Sequence, residues 1–178
     1  MPAGSEAPVH IVAYDPAWPN LFEAEAIVLR EVLGPWLAGP IEHVGSTAVP
    51  GLPAKPVIDI MAAVDSLDAS RGALLPLGKI GYHYAPYRAD EMHWFCKPSF
   101  SLRTHHLHLV PYRSPLWRER VKFRDCLRSH SAIAEEYAAL KYRLADLHRF
   151  DREAYTEAKG PFIARVLQAL DDTSAPES

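Results

Sequence analysis

The sequence predicts an α/β protein of the α+β kind, with strands and helices mixed through its first two thirds and helices alone closing the chain. Three observations carry this expectation. Residues 57–64 are apolar except for Asp59, the pattern of a strand covered on both faces. Residues 18–37 place apolar side chains at three- and four-residue steps, the period of an amphipathic helix. Beyond Pro115 the same helical period persists almost to the end.

The elements follow in order. In the first helix, 18–37, Leu21, Phe22, Ala26, Leu29, Val32 and Leu33 form the apolar stripe, with charged residues between them. Pro16 and Pro19 prepare its start, and Gly34-Pro35 disrupts its last turn. A short strand at 41–44 leads into a loop at 45–56 punctuated by Gly and Pro, then the buried strand at 57–64. A weaker helix is expected at 66–77. Residues 82–84, 92–96 and 105–110 read as strands, with Pro86, Pro98 and Pro111 marking their ends. Helices at 116–129, 132–148 and 152–170 follow. A polar tail begins at Asp171, with 173–178 expected to be disordered. This organisation reads as one domain over 1–172, an α/β core at 9–113 and a helical cap at 114–172.

Composition narrows the class. A chain of 178 residues with 19 basic and 22 acidic side chains, formally −3, is a soluble globular composition. The acidic excess lies in the first half, and neither half is basic enough to draw duplex DNA by bulk electrostatics. No apolar run is long enough for a membrane span, and the first residues lack the basic and apolar stretches of a secretory leader. Cys96 and Cys126 stand alone, which excludes a disulfide scaffold and makes a reducing, cytoplasmic setting the expectation. Two excesses remain, 16 prolines and nine histidines.

The densest chemistry lies between Glu42 and Ile60. A strand ending in Gly45-Ser46-Thr47 exposes backbone N–H groups and hydroxyls at a turn, which suits a phosphate cradle, and Lys55 adds a point charge. Asp59 is a carboxylate inside an apolar strand, which is costly unless it is paired, tied to N–H groups or coordinated to a cation. His43 reads either as a catalytic acid or base near its ordinary pKa of ~6.5 or as a donor that orients the loop. His106 and His108, two apart on a strand, share one face, while His105 takes the other. If this strand lies beside that of Asp59, the three side chains make an open site for a transition metal such as Zn, Mn or Fe. The plain alternative is a row of polar side chains bonded to neighbours and solvent.

Arg103 precedes the histidine strand. Later, Tyr155/Lys159 and Tyr137/Lys141 are two Tyr/Lys pairs at four-residue spacing, each pair on one helix face. They suit an anionic, partly aromatic ligand such as a nucleotide, or else they are lysines lying over tyrosine rings at helix contacts.

The strings HVGSTAVPGLPAKPVIDI at 43–60, RTHHLHLVPY at 103–112 and YTEAKGPFI at 155–163 resemble the GrpB family, also met as a domain joined to dephospho-CoA kinase. The resemblance spans roughly residues 9–170. It implies a nucleotidyltransferase-like mixed β-sheet with flanking helices, built around a Gly-Ser turn and a following strand that bears Asp-x-Asp. Gly45, Ser46 and Asp59 match that pattern; Met61 stands where the second carboxylate belongs. One carboxylate does not grip the two divalent ions of ordinary nucleotidyl transfer.

The expected function is therefore a nucleotidyltransferase-like enzyme binding a nucleotide or other phosphorylated ligand with a divalent metal, Mg or Mn, or Zn or another transition metal. Gly45, Ser46, Thr47, Lys55, Arg103, Tyr137, Lys141, Tyr155 and Lys159 are the candidate ligand contacts, Asp59 and His43 the candidate catalytic groups, and Asp59, His106 and His108 the candidate metal ligands. Two other readings stand beside it: a nucleotide- or metal-binding module without transfer chemistry, and a hydrolase or ligase-like enzyme with one His-rich metal site.

Overall fold

Burial on both faces marks the inner strands. In the computed structural model, which describes residues 7–174, β2 (Ile58–Val64) is buried at every position except the half-buried Asp59. It pairs antiparallel with β1 (Leu37–Val44) and parallel with β5 (Arg103–Pro111). β4 (His93–Pro98) and the short edge strand β3 (His83–Ala85) continue the sheet antiparallel. The order is β1-β2-β5-β4-β3. This mixed five-stranded sheet with flanking helices is the expected α+β fold.

Strand alternation separates two apolar layers. Ile58, Ile60, Ala62, Leu107 and Leu109 face helix α1 (Trp18–Leu33) and the short helix α2 (Leu74–Lys79), where Trp18, Leu29, Leu33 and Leu77 meet them. Met61, Ala63, Cys96 and Val110 face the other way, beneath Leu116 and Trp117 of α3 (Pro115–Ser129). Each such fully buried large side chain contributes about 1.5–3 kcal/mol. The Ser114 hydroxyl caps α3 by accepting from Trp117 N–H, with Pro115 opening the first turn.

A helical layer covers the second face. Val49 and Leu52, in the β1–β2 loop, pack with Leu127 of α3, Tyr137 of α4 (Ser131–Leu147) and Phe162 and Val166 of α6 (Gly160–Ser174). Tyr155 of α5 (Arg152–Ala158) is buried with Val9, Ile11 and Ala145. The loop carrying the Gly-Ser-Thr turn is thus held between sheet and helices.

Several boundaries differ from expectation. The first helix stops at Leu33, because Gly34–Trp36 tightens into a single 3-10 turn, and β1 begins at Leu37, earlier than residue 41. An irregular register between Leu37 and Ile41, around Gly39-Pro40, hid that first half of the strand. The helix expected at 66–77 is a 3-10 turn, Ala69–Ala73, followed by the one and a half turns of α2. The helix expected at 152–170 is two helices, broken at Lys159, since Pro161 has no N–H to offer the preceding turn. The tail is corrected as well: Asp171 to Ser174 remain helical, and Lys122 Nζ bonds the Asp171 carboxylate. Residues 175–178 lie outside the described residues. No helix of the described residues is long and apolar enough to cross a membrane.

Candidate functional site

The parallel β2–β5 seam sets Asp59 opposite His106 and Met61 opposite His108, all four on the face beneath the helical layer. His106 Nδ1 lies 3.0 Å from Asp59 Oδ1 and His108 Nε2 lies 3.6 Å from the same oxygen. One ligand atom from each of the three residues falls within 4.8 Å of the others. Burial by itself pushes the Asp59 carboxyl up, but hydrogen bonds and charge from the two imidazoles hold it well below the usual carboxylate range. His108 is lowered to about 3 by burial and by the charge of Arg120, against the pull of Asp59.

The donors and acceptors here do not balance. Neutral His108 has one ring hydrogen, and two acceptors compete for it: the Met92 thioether 3.3 Å from Nδ1 and Asp59 Oδ1 3.6 Å from Nε2. Whichever takes it, the other ring nitrogen turns its lone pair on a group with no hydrogen to give. His106 donates Nδ1–H to the carboxylate, and its Nε2 is buried with no hydrogen-bond partner among the described residues. A cation among Asp59, His106 and His108 would remove the conflict. One carboxylate and two imidazoles are a donor set for one divalent transition metal with open positions. Met61, fully buried among Val44, Met92 and Trp117, adds no ligand.

The Gly45 turn presses against this carboxylate. Gly45 has φ +72°, and a Cβ there would lie 2.7 Å from Asp59 Oδ2, so only glycine lets the turn approach. Ser46–Ala48 forms a 3-10 turn, with Ser46 beside the Tyr137 hydroxyl. Thr47 is buried; its hydroxyl donates to the Val57 carbonyl at 3.3 Å and accepts from His43 Nε2 at 2.9 Å. His43 itself is on the α1 face, its ring stacked on Phe22 at 4.7 Å and 8°, outside the residues that line the cleft. Burial lowers it to about 4, offset in part by Asp59. It is neutral and latches the turn; the catalytic alternative loses its geometry, because alternation puts His43 and Asp59 on opposite faces.

Three lysines converge on the cleft wall. Lys141 is 1% exposed; its Nζ donates to the Pro53 carbonyl and lies 5.0 Å from the Tyr137 ring centre. Lys159 and Lys55 lie over the Tyr155 ring at 4.5 and 5.0 Å. Burial lowers Lys141 to about 7, with the charges of Lys159 and Lys55 adding to it. Burial and Lys55 also lower Lys159 to about 7, Asp59 opposing. Crowded, desolvated like charges of this kind are relieved by an anion. The Tyr137 ring is stacked on Phe162 at 5.2 Å, so Tyr137 and Tyr155 support cations and core.

These groups line one cleft of about 990 Å³, which also holds Arg88, Arg103, Arg120, Tyr87 and Trp94. Arg103 lies over the Trp94 ring at 5.3 Å and donates from Nε to the Phe100 carbonyl at 2.9 Å. Arg120 and Arg88 were not singled out from the sequence. A signal existed for Arg120: it falls four residues after the buried Leu116 and seven before the buried Leu127, a charge on an apolar stripe. Arg124, on the same stripe, anchors α3 to β1 through Glu42 at 2.6 Å and the His43 carbonyl at 3.1 Å.

Known proteins share this arrangement of chain. Residues 8–169 match the family described as GrpB protein. The chain is 40% identical to a UPF0157 protein of Pseudomonas aeruginosa, over 94% of this chain and 70% of that one. It is 33% identical to the glutamate-rich protein GrpB of Alkalihalophilus pseudofirmus, over 91% of this chain and 95% of that one. A dephospho-CoA kinase of Mycobacterium bovis is 42% identical over 44% of this chain but only 20% of its own length. The crystal structure of the conserved protein GrpB from Enterococcus faecalis superposes with a TM-score of 0.82 at 31% identity, covering 93% of this chain and all of the other. With fold and sequence agreeing over nearly the whole length, the chain belongs to the GrpB family.

Proposed function

We propose that this GrpB-family chain is a nucleotidyltransferase-like protein that binds a nucleotide or other phosphorylated ligand beside a single divalent cation. One juxtaposition supports the reading. The Asp59–His106–His108 cluster lies in the same cleft as Lys55, Lys141 and Lys159. A bound ion would supply Lewis-acid charge at a phosphoryl oxygen. The chain's own groups do the rest: the lysines offset phosphate charge, the Gly45–Thr47 turn offers backbone N–H groups and the Ser46 hydroxyl, and His108 stays unprotonated at neutral pH. The donor set favours Mn or Zn over a pair of Mg ions. The same reading treats 9–113 and 114–172 as one folding unit at work in the cytoplasm, with neither duplex DNA nor a membrane as partner.

Burial of Met61 favours a second reading beside transfer, a single-metal hydrolase or ligase-like enzyme or a binding module without chemistry, because the second metal has no carboxylate. Metal analysis followed by calorimetry with ATP, GTP and CTP, with and without Mg, Mn or Zn, tests the common core. Metal-dependent nucleotide binding that is abolished by Asp59→Ala is expected, and binding that survives the substitution unchanged refutes the site. Pyrophosphate release with a panel of acceptors then separates transferase from the second reading.

A further inference from the structure

The cleft carries cations on two sides, and the reading above uses only one of them. Lys55 lies in the β1–β2 loop, Lys141 bonds the Pro53 carbonyl of that loop, and Lys159 shares the Tyr155 ring with Lys55. Arg120 stands at the β4 side: its guanidinium meets the Met92 thioether at 3.8 Å, Met92 immediately precedes β4, and Arg88 is its cationic neighbour. In the sheet order β1-β2-β5-β4-β3, the Asp59–His106 seam lies between these two walls.

Arg120 is short of acceptors. A guanidinium has five N–H donors, yet among the described residues Arg120 bonds only a thioether, and no carboxylate lies within ion-pair distance of it. Asp59 is the carboxylate that acts most on its charge, and Glu91, on the loop before β4, is taken by Arg88 at 2.5 Å. Arg103 enters from β5 with its guanidinium carbon 5.3 Å from the centre of the Trp94 ring, which is 5.1 Å from that of His106. Tyr87, 41% exposed, packs edge-on against the same tryptophan. A planar guanidinium with free N–H donors beside an open cleft, here that of Arg120, suits the flat two-oxygen face of a carboxylate or phosphate.

We propose that Arg120, flanked by Arg88 and Arg103, forms a second anion subsite that takes a separate carboxylate- or phosphate-bearing ligand across the Asp59–His106–His108 cluster from the first. The proposal rests on the reading above for the lysine wall and adds to it that two anionic ligands are held on either side of one cluster. A protein that only stores a nucleotide has no use for the second wall.

The test titrates inorganic phosphate into protein saturated with ATP and Mn, comparing Arg120→Met, Arg120→Lys and Lys159→Met with the parent after equal melting profiles show that each is folded. One further phosphate per chain is expected. It weakens about tenfold or more in Arg120→Met, recovers partly in Arg120→Lys, and is retained in Lys159→Met, which instead loses ATP. Benzoate as competitor distinguishes the source: displacement assigns the subsite to carboxylates, and resistance assigns it to phosphate esters. Absence of the second phosphate, indifference to Arg120→Met, or a parallel loss of ATP and phosphate in Arg120→Met overturns the proposal. If ATP does not bind the parent at all, phosphate alone is titrated into the same variants. Dependence on Arg120 then upholds the subsite while the lysine-wall reading falls, and independence overturns the subsite.

Discussion

At the residue scale the site depends on a few side chains whose alternatives are physically excluded. Gly45 is one: with φ +72° and Asp59 Oδ2 at 2.7 Å from a would-be Cβ, Gly45→Ala should cost about 1–3 kcal/mol, read as a lower urea midpoint, and weaken metal binding in step. Met61 is another. A carboxylate introduced there enters a fully buried apolar cluster, so Met61→Asp should destabilise by about 3 kcal/mol or more and not create a two-metal enzyme; a folded variant that binds two Mn ions contradicts this. His43 sets a pH dependence. Its pKa is about 4 in the fold against 6.5 unfolded, so the unfolded chain binds the extra proton between these values. The stability His43 confers is complete above about pH 6.5 and is lost as pH falls toward about 4. Urea titrations should show that slope reduced by one proton in His43→Gln. Asp59, His106 and His108 were legible in the sequence because strand period is two, whatever the tertiary context. The same parity, applied across the β1–β2 antiparallel pair, removes His43 from their face, but only once the pairing Val44 to Asp59 is known.

At the element scale the site is made by one seam and one break. The parallel β2–β5 pairing brings together residues 47 positions apart, and no local pattern announces which strands pair or in which direction. The break lies between α5 and α6, where Gly160-Pro161 ends one helix and starts the next, leaving Lys159 at the joint. Its Gly-Pro signal was present in the sequence, yet the helical period on both sides read as a single helix. Pro161→Ala restores a backbone donor; it should extend α5 through the joint, raise helix content and weaken ATP binding through Lys159. Circular dichroism and calorimetry check the two effects, and unchanged ATP affinity would show that the joint does not position the lysine. Arg120 was hidden for a related reason: the stripe of α3 is visible, but the chemistry it faces is set by docking onto a sheet formed far earlier in the chain.

At the scale of the whole molecule, a formal charge of −3 conceals a cleft whose two walls are cationic. Composition averages over the surface, whereas the fold sorts charges, placing Lys55, Lys141, Lys159 and Arg120 around the Asp59–His106–His108 cluster. Because a ligand in this cleft binds only the folded chain, ATP with metal at a hundred times its Kd should add about 2.7 kcal/mol of stability, a rise in Tm of roughly 5–10 °C for a chain of this size. The increment should vanish in Lys159→Met. The excess of prolines and histidines also takes on meaning at this scale: Pro53 presents a carbonyl to Lys141, Pro161 breaks the last helices, and of the histidines only His106 and His108 reach the cluster. The claim beneath all of this is that Asp59, His106 and His108 hold one cation. Titration of metal-free protein with Mn or Zn, followed by elemental analysis after gel filtration, tests it most directly. One ion per chain in the parent and none in Asp59→Ala is the predicted result; equal metal content in both, or no metal in either, would contradict it.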